Sequence, residues 1–425
     1  MITDPRRFLA SLFATATAAT QPAYCLPAYL PPPPKGRTVV IGAGKAAAAM
    51  AQTLEKHWPH AHLSGMVITR YGHQTPCQTI EVVQAGHPVP DLAGMQASQR
   101  MLALVENLSV DDLVLCLISG GGSALLNLPA HSISLAQKQA INQALLRSGA
   151  TIHEINCVRK HLSGIKGGRL GLAVGPAQLL TLLISDVPGD DPATIASGPT
   201  LPDASTCAQA LAICEKYRLD LPTNVRDWLH NPAAETPKPD LPAFAHHQYR
   251  VIASNQQALQ AAATWAKQSG ITPYILSDSI EGEARDVALV HAAIVGQIVR
   301  DGENQFCPFQ RPCLLLSGGE TTVTVDGDGR GGRNSEFLLA LVQALAGMPN
   351  VYAIACDTDG IDGSEQNAGA ICAPDTLARA QALGLQAQAH LNNNDAYGFF
   401  AALDDLIVTG PSLTNVNDFR AILIL

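Results

Sequence analysis

The chain has 425 residues, 47% of them apolar and 15% charged, with a formal net charge of −9. This length exceeds one ordinary hydrophobic core, so we expect two folded domains rather than a disordered or fibrous protein. The negative charge argues against nucleic-acid binding. The lack of a run of about 18 apolar residues argues against a membrane span. Ten cysteines without CxxC spacing indicate a cytoplasmic protein.

The first half of the chain alternates short apolar runs with helical patterns. Residues 1–20 resemble a signal peptide, but Asp4 and the threonines within the apolar run favour an amphipathic first helix. Strands are expected at 37–41, 65–69, 80–84, 112–118 and 178–184, and helices at 46–57, 92–107, 134–147 and 152–161. Strands that alternate with helices through glycine turns predict a doubly wound, Rossmann-like parallel sheet.

The second half repeats this alternation after a stretch with four prolines, residues 231–242, which we interpret as a linker between domains. Strands are expected at 249–253, 272–276, 313–316, 321–325, 351–355, 406–408 and 421–425, and helices at 256–268 and 284–299. The last two strands are candidates for edge strands. The predicted fold class is therefore α/β with two α/β domains, at residues 1–240 and 246–425.

Residues 312–346 combine a buried strand, a polar loop, a glycine-rich turn and an apolar helix. The loop contains Gly318, Gly319 and Glu320, and Arg333 lies after the turn, at the predicted start of the helix. Because a helix N-terminus already carries partial positive charge, an arginine there indicates a bound anion. A glycine-rich hairpin with a solvated arginine is the alternative interpretation.

The turn after the first strand, residues 42–47, satisfies the G-x-G-x-x-A pattern of dinucleotide-binding proteins. The second strand, however, ends at Thr69 and Arg70, where such proteins carry a ribose-binding acid. Lys45 lies within the turn, a position that suits a phosphoryl or carboxylate group. Dinucleotide binding, anion binding and a merely solvated lysine are all open interpretations.

A second glycine turn follows the strand at 112–118 and offers backbone N–H groups and hydroxyls to an anion. Its residues are Ser119, Gly120, Gly121, Gly122 and Ser123. No G-K-[ST] sequence closes it, so it is not the loop of a P-loop NTPase. A tight strand-to-helix turn without a ligand is the alternative.

Charged residues gather in a few further places. Residues 157–170 include Arg159, Lys160 and Lys166, which form either a phosphate-binding surface or a solvated helix face. Asp186 and Asp190 follow the strand at 178–184, at the edge where open α/β sheets bind ligands. These carboxylates are candidates for holding Mg²⁺ near phosphates, and ordinary Asp-Gly turn chemistry is the alternative.

Several runs together carry a family resemblance. They are VVIGAGKAAAAMA at 39–51, SGGGSALL at 119–126, HEINCVRKHLSGIKGGRL at 153–170, SDVPGDDPATIASGPT at 185–200, SGGETTVTV and GRGGRNSEF within 317–337, and DTDGIDG at 357–363. In this order they resemble the glycerate 2-kinase family, whose C-terminal part is the MOFRL domain. The resemblance covers nearly the whole chain and implies two α/β domains with an active site in the interdomain cleft.

The resemblance implies ATP-dependent phosphorylation of D-glycerate at its 2-hydroxyl, giving 2-phospho-D-glycerate and ADP. It implies catalytic roles for Lys45, Arg333 and Asp186, since phosphoryl transfer depends on charge stabilisation. The implied ligands of the nucleotide phosphates or of the substrate carboxylate are Ser119, Gly120, Gly121, Gly122, Ser123, Lys160, Gly318, Gly319 and Glu320, and those of Mg²⁺ are Asp186 and Asp190. An NAD(P)H-dependent hydroxypyruvate reductase and a non-catalytic metabolite-binding protein are the alternatives, and a homodimer is left open.

Overall fold

A computed structural model describes residues 2–58, 62–301 and 306–425, with the side chain of residue 301 excepted. The contacts among these residues divide the chain into two units. The N-terminal unit comprises Pro22–Ser185 and Asp190–Ile252, and the C-terminal unit comprises Met1–Gln21, Asp186–Gly189 and Ala253–Leu425. The sequence-based boundaries differ from this division, because they assign residues 1–21 and 186–189 to the first domain and residues 246–252 to the second.

The described residues form the following elements. The helices are α1 (Pro5–Ala19), α2 (Pro22–Cys25), α3 (Ala47–His57), α4 (Leu92–Leu104), α5 (Gly122–Leu125), α6 (Leu135–Arg147), α7 (Ile152–His161), α8 (Arg169–Ala173), α9 (Cys207–Lys216), α10 (Thr223–His230), α11 (Asn255–Gln268), α12 (Ala284–Asp301), α13 (Arg333–Leu345), α14 (Thr376–Ala382), α15 (Ala387–Asn392) and α16 (Ala396–Ala402). The strands are β1 (Thr38–Ala43), β2 (Leu63–Arg70), β3 (Glu81–Ala85), β4 (Leu113–Ile118), β5 (Gln178–Ile184), β6 (His247–Ala253), β7 (Thr272–Glu283), β8 (Cys313–Thr322), β9 (Val351–Asp357), β10 (Gly369–Cys372), β11 (Leu406–Ile407) and β12 (Asp418–Ile424).

The sheet of the N-terminal unit has the strand order β3-β2-β1-β4-β5-β6. The pairs β3–β2, β2–β1, β1–β4 and β4–β5 are all parallel, which confirms the predicted Rossmann-like sheet. Every residue of β1 and β4 is buried, as expected for central strands covered by helices on both faces. The strand order reverses between β1 and β4, and Ala43 pairs there with Ile118. The turns that follow these two strands therefore begin side by side, at the position where open α/β sheets bind ligands.

The sheet of the C-terminal unit is mixed, with the order β11-β10-β9-β12-β8-β7. The pair β7–β8 is parallel, and the other pairs are antiparallel. Helix α13 is buried along most of its length, from Asn334 to Leu345, and packs into the main apolar core of this unit. Helix α1 packs on α11, with the rings of Phe8 and Trp265 4.8 Å apart. These contacts explain why residues 1–21 group with the C-terminal part of the chain.

Three predictions about individual strands were wrong. Residues 313–316 and 321–325 are not two strands around a loop, because β8 runs without interruption through residues 317–320. The strand predicted at 249–253 does not begin the second sheet, since β6 lies at the edge of the first one. Of the two strands expected at an edge, only β11 lies at one, because the last strand, β12, is central, between β9 and β8. Residues 231–242 are also less open than a free linker, because Thr236 is buried and its hydroxyl donates to Asp203.

Among the described residues, no helix combines the length and the apolar character needed to cross a membrane.

Candidate active site

In the N-terminal unit, the turns after β1 and β4 are joined by hydrogen bonds. The backbone N–H of Lys45 donates to the carbonyl of Gly120 at 2.8 Å, and that of Ala46 donates to the Ser119 hydroxyl at 3.0 Å. A Cβ atom on Gly44 would lie only 2.1 Å from Ser119 Oγ, so this close approach requires glycine. The structure thus brings Lys45 and residues 119–123 together at the switch point of the sheet.

The side chains around Gly121 define one wall of this site. Gly121 has a φ of +79°, and an added Cβ atom would lie 2.8 Å from His87 Nε2 and 3.5 Å from Lys45 Cγ. The stem of Lys45 and the ring of His87 therefore lie next to the glycine loop. From the sequence, His87 is either a substrate contact or a loop histidine satisfied by its neighbours, because a loop histidine carries no local pattern that distinguishes the two.

A chain of hydrogen bonds supports the second serine of the loop. Lys166 Nζ donates to the Ser123 carbonyl at 2.7 Å and to its hydroxyl at 3.1 Å. The Ser123 hydroxyl lies 2.8 Å from that of Ser197, which donates to Asn156 Oδ1 at 2.9 Å. Burial, followed by the charges of Lys138 and Arg159, lowers the pKa of Lys166 well below its usual value. This serine is consequently held in place by a buried lysine.

Lys160 lies in a different setting from the one that the sequence suggested. Its Nζ atom is 3.1 Å from Asp203 Oδ1, and both side chains are buried. Burial raises the pKa of Asp203, but hydrogen bonds from Ser205, Lys160 and Thr236 and the charge of Lys160 outweigh burial and lower that pKa. The charge of Lys160 is thus matched within the unit, and phosphate binding by Lys160 stays a prediction.

In the C-terminal unit, Arg333 is the first residue of α13 and contacts three carboxylates. Its Nε atom donates to Asp418 at 2.7 Å, and its terminal nitrogens donate to Glu320 and Asp357, each at 3.0 Å. These contacts use three of the five N–H donors of the guanidinium group. The positive charge that the sequence assigned to an external anion is therefore already surrounded by carboxylates of the same unit.

Two further charged residues complete this arrangement. Burial raises the pKa of Asp418, but the guanidinium groups of Arg333 and Arg420 outweigh burial and hold that pKa below its usual value. Asp362 caps α13, where its carboxylate accepts the backbone N–H groups of Asn334 at 3.0 Å and Ser335 at 2.8 Å. The sequence pattern did not reveal Asp418 or Arg420 because they lie more than 80 residues after Arg333 in the chain.

Gly318 and Gly319 belong to β8 and lie against other parts of the unit. A Cβ atom on Gly318 would lie 1.8 Å from Asn255 Oδ1, and one on Gly319 would lie 2.2 Å from the carbonyl oxygen of Ile280. These glycines therefore permit close packing at their Cα positions. The neighbouring Glu320 is 45% exposed in its side chain and reaches Arg333. Nucleotide binding by these three residues stays a prediction.

The predicted Mg²⁺ ligands fall into different units. Asp186 belongs to the C-terminal unit, where its carbonyl accepts a hydrogen bond from the Asn417 side chain. Asp190 belongs to the N-terminal unit and has a left-handed backbone, with φ of 55°. The donor chemistry of two carboxylates fits Mg²⁺, which prefers oxygen ligands. Their joint role stays a prediction.

This α/β protein, which has two glycine turns at the switch point of its first sheet, is similar to known proteins along most of its length. Residues 8–230 match the family described as a domain of unknown function, DUF4147, and residues 313–418 match the MOFRL family. A D-glycerate 2-kinase of Thermotoga maritima is 39% identical over 383 residues, which cover 90% of this chain and 89% of the relative. The chain belongs to the glycerate kinase family that carries a MOFRL domain.

Two other similarities agree with this assignment of family. A crystal structure of glycerate kinase from Thermotoga maritima superimposes with a TM-score of 0.88 at 36% identity, covering 99% of both chains. A protein of Agrobacterium vitis that carries a hydroxypyruvate reductase name is 50% identical over 421 residues, which cover 99% of this chain and 94% of the relative. Both activity names therefore occur among the relatives.

Proposed function

We propose that this protein is an ATP-dependent glycerate 2-kinase, which transfers the γ-phosphoryl group of ATP to the 2-hydroxyl of D-glycerate. The observation that carries the proposal is the position of Lys45 beside the glycine loop 119–123, at the switch point of a parallel sheet. Glycerate kinases at 36–39% identity along nearly the whole chain support it. The products are 2-phospho-D-glycerate and ADP.

Phosphoryl transfer requires positioning and charge stabilisation more than covalent help from the protein. In the proposed mechanism, Lys45 compensates the negative charge that develops on the transferring group. The N–H groups and hydroxyls of residues 119–123 orient a phosphate or the substrate carboxylate. Arg333 has two N–H donors beyond those that its carboxylates use, and we assign them to the reacting oxyanion.

Asp186 and Asp190 are the proposed ligands of Mg²⁺, which when bound supplies charge neutralisation to the phosphates of ATP. We also assign to Asp186 the role of orienting the attacking hydroxyl. The cytoplasmic location, the two domain boundaries and a homodimer likewise stay predictions of the sequence.

The test is a coupled assay for ADP with purified protein, D-glycerate and MgATP. We expect ADP release that depends on glycerate, and ³¹P NMR of the product will distinguish the 2-phosphate from the 3-phosphate. Lys45→Ala should lower kcat by about 100-fold or more, the usual effect of removing one group that stabilises the transition state. Lys56→Ala, an exposed lysine on α3, is the matched control.

A reductase is the second candidate, because residues 42–47 fit the dinucleotide fingerprint and a relative carries that name. A parallel assay follows NADH consumption with hydroxypyruvate. Consumption of NADH without any glycerate-dependent release of ADP would replace the kinase proposal with the reductase.

A further inference from the structure

Three basic side chains lie together inside the N-terminal unit. They are Lys138 on α6, Arg159 on α7 and Lys166 in the turn after α7. Lys138 and Lys166 are each only 2% exposed. Within the described part of the chain, no carboxylate lies within ion-pair distance of any of the three, in contrast to the neighbouring pair of Lys160 and Asp203.

Hydrogen bonds link the three residues into one cluster. The carbonyl of Leu128 accepts from Lys138 Nζ at 3.2 Å and from the Ser163 hydroxyl at 3.1 Å. The same Ser163 oxygen accepts the backbone N–H of Lys166 at 3.3 Å. On the other side, Arg159 Nε donates to the side chain of Asn142, one turn after Lys138 on α6, at 3.3 Å. Lys138 is thus connected to Lys166 through the Leu128 carbonyl and Ser163, and to Arg159 through Asn142 of the same helix.

This cluster reaches the glycine loop of the candidate active site. The ammonium group of Lys166 donates to the carbonyl and the hydroxyl oxygens of Ser123. It also donates to the carbonyl of Ala196, at 3.5 Å. Asn127, between the loop and Leu128, is 2% exposed, and its Nδ2 atom has no hydrogen-bond partner among the described residues. A buried amide donor without an acceptor is unusual in a folded protein and indicates a missing partner.

A buried cation without a counter-ion is strongly destabilising, so it either loses its proton or acquires an anion. Burial, followed by the charge of Arg159, lowers the pKa of Lys138 to about 7. The charged groups that face Lys166 are Lys138 and Arg159, and both add to the effect of burial in lowering its pKa. Without an anion, Lys138 is therefore poised to release its proton near neutral pH, and the lowered pKa of Lys166 favours its neutral form relative to a solvated lysine.

We propose that Lys138, Arg159 and Lys166, together with the loop of residues 119–123, bind a small oxyanion, and that protons are taken up as the site fills. Lys138 and Arg159 provide direct donors, because the described contacts occupy only one N–H of each. Lys166 contributes charge and holds Ser123. The ligand is a carboxylate or phosphate, and its assignment to glycerate or to the nucleotide rests on the proposed function.

The experiment is isothermal titration of the full chain with inorganic phosphate, D-glycerate or ADP, at pH 8 in two buffers with different ionisation enthalpies. We expect net proton uptake with at least one of the three ligands. Lys138→Met and Arg159→Gln should each weaken that ligand by about tenfold or more, the usual effect of losing a charge-assisted hydrogen bond. Lys138→Met should also lower the proton uptake.

Two exposed residues supply matched controls: Lys56→Met on α3 and Arg147→Gln on α6, the helix of Lys138. Neither control should change binding. If these two substitutions at Lys138 and Arg159 weaken the binding of D-glycerate most, the site belongs to the substrate carboxylate. If they weaken the binding of phosphate and ADP most, the site belongs to the nucleotide.

Thermal melting establishes that the variants are folded. Folded Lys138→Met and Arg159→Gln proteins that bind all three ligands with unchanged affinity and proton uptake would overturn the proposal, and so would the absence of proton uptake in the parent. A failed kinase assay with intact anion binding would instead refute only the proposed function.

Discussion

Replacing Arg333 should destabilise the C-terminal unit as well as affect activity. Arg333→Met leaves Asp418 with Arg420 as its remaining cationic partner, while Asp357, whose side chain is 10% exposed, loses its guanidinium contact. Removing one partner of a buried ion pair costs about 3–5 kcal/mol, whereas the exposed Glu320 adds little. Because Arg420 remains, we expect a loss of about 3 kcal/mol in the free energy of unfolding at pH 7.

The pH dependence of this loss provides a second signature. In the parent, the two arginines outweigh burial and lower the pKa of Asp418, so the stabilisation is present at neutral pH and is lost as pH falls through that pKa. In Arg333→Met, burial is opposed mainly by Arg420, so the pKa of Asp418 rises. The Asp418 carboxylate can then be protonated at a higher pH than in the parent, and the stability difference between variant and parent should narrow as the pH falls below 7.

Urea unfolding followed by tryptophan fluorescence measures this difference. Trp265 packs on Phe8 and is the tryptophan of the C-terminal unit, so a background with Trp58→Phe and Trp228→Phe isolates its signal. Arg330→Met is the matched control, because that side chain is 60% exposed and its ion pair with Glu365 should contribute less than about 1 kcal/mol. Equal, small losses in Arg333→Met and Arg330→Met would refute the reasoning.

Two glycine substitutions test the packing of the predicted loops. Gly121→Ala should destabilise the N-terminal unit by about 1–2 kcal/mol more than Gly149→Ala in thermal melts. Both glycines have left-handed backbones, but only Gly121 has a neighbouring side chain at the Cβ position; equal costs would contradict this. Gly318→Ala should cost about 3 kcal/mol or more, because it displaces the Asn255 side chain from two backbone carbonyls. A wild-type melting temperature for this variant would show that the crowding is relieved locally.

The sequence predicted well those features that depend on neighbouring residues. Strand β5 has the predicted bounds, residues 178–184, because a continuous apolar run between polar ends is a local signal. The central position of β12 was missed, since the place of a strand in a sheet depends on partners such as β8, about 100 residues earlier. An apolar run at the end of a chain looks the same at the edge and in the middle.

The same distinction applies to the candidate site. The glycine turns and Lys45 stood out because each lies within a few residues of a strand end. The partners of Arg333 and Lys160 did not, because Asp418 and Asp203 come from distant parts of the chain. A sequence shows where a charge is, but whether that charge is compensated depends on the fold.

Lys138 shows how an uncompensated charge can be recognised by experiment. Its pKa of about 7 in the folded chain lies below the value of an unfolded chain, about 10.4. Between these values the unfolded chain binds a proton that the folded chain lacks, so this group makes stability rise with pH. Lys138→Met removes the group, and its gain in melting temperature should be largest at pH 7 or below and shrink towards pH 10.

A bound oxyanion should reverse the difference in melting temperature between the parent and Lys138→Met. If an anion pairs with charged Lys138, saturating ligand stabilises the parent more than the Met variant, because ligand binding to the native state adds to its stability. The parent should then equal or exceed the variant at pH 7, whereas Lys56→Met should respond to ligand as the parent does. A Met variant that keeps the same advantage at every pH and ligand concentration would show that Lys138 is neither deprotonated by burial nor used for binding.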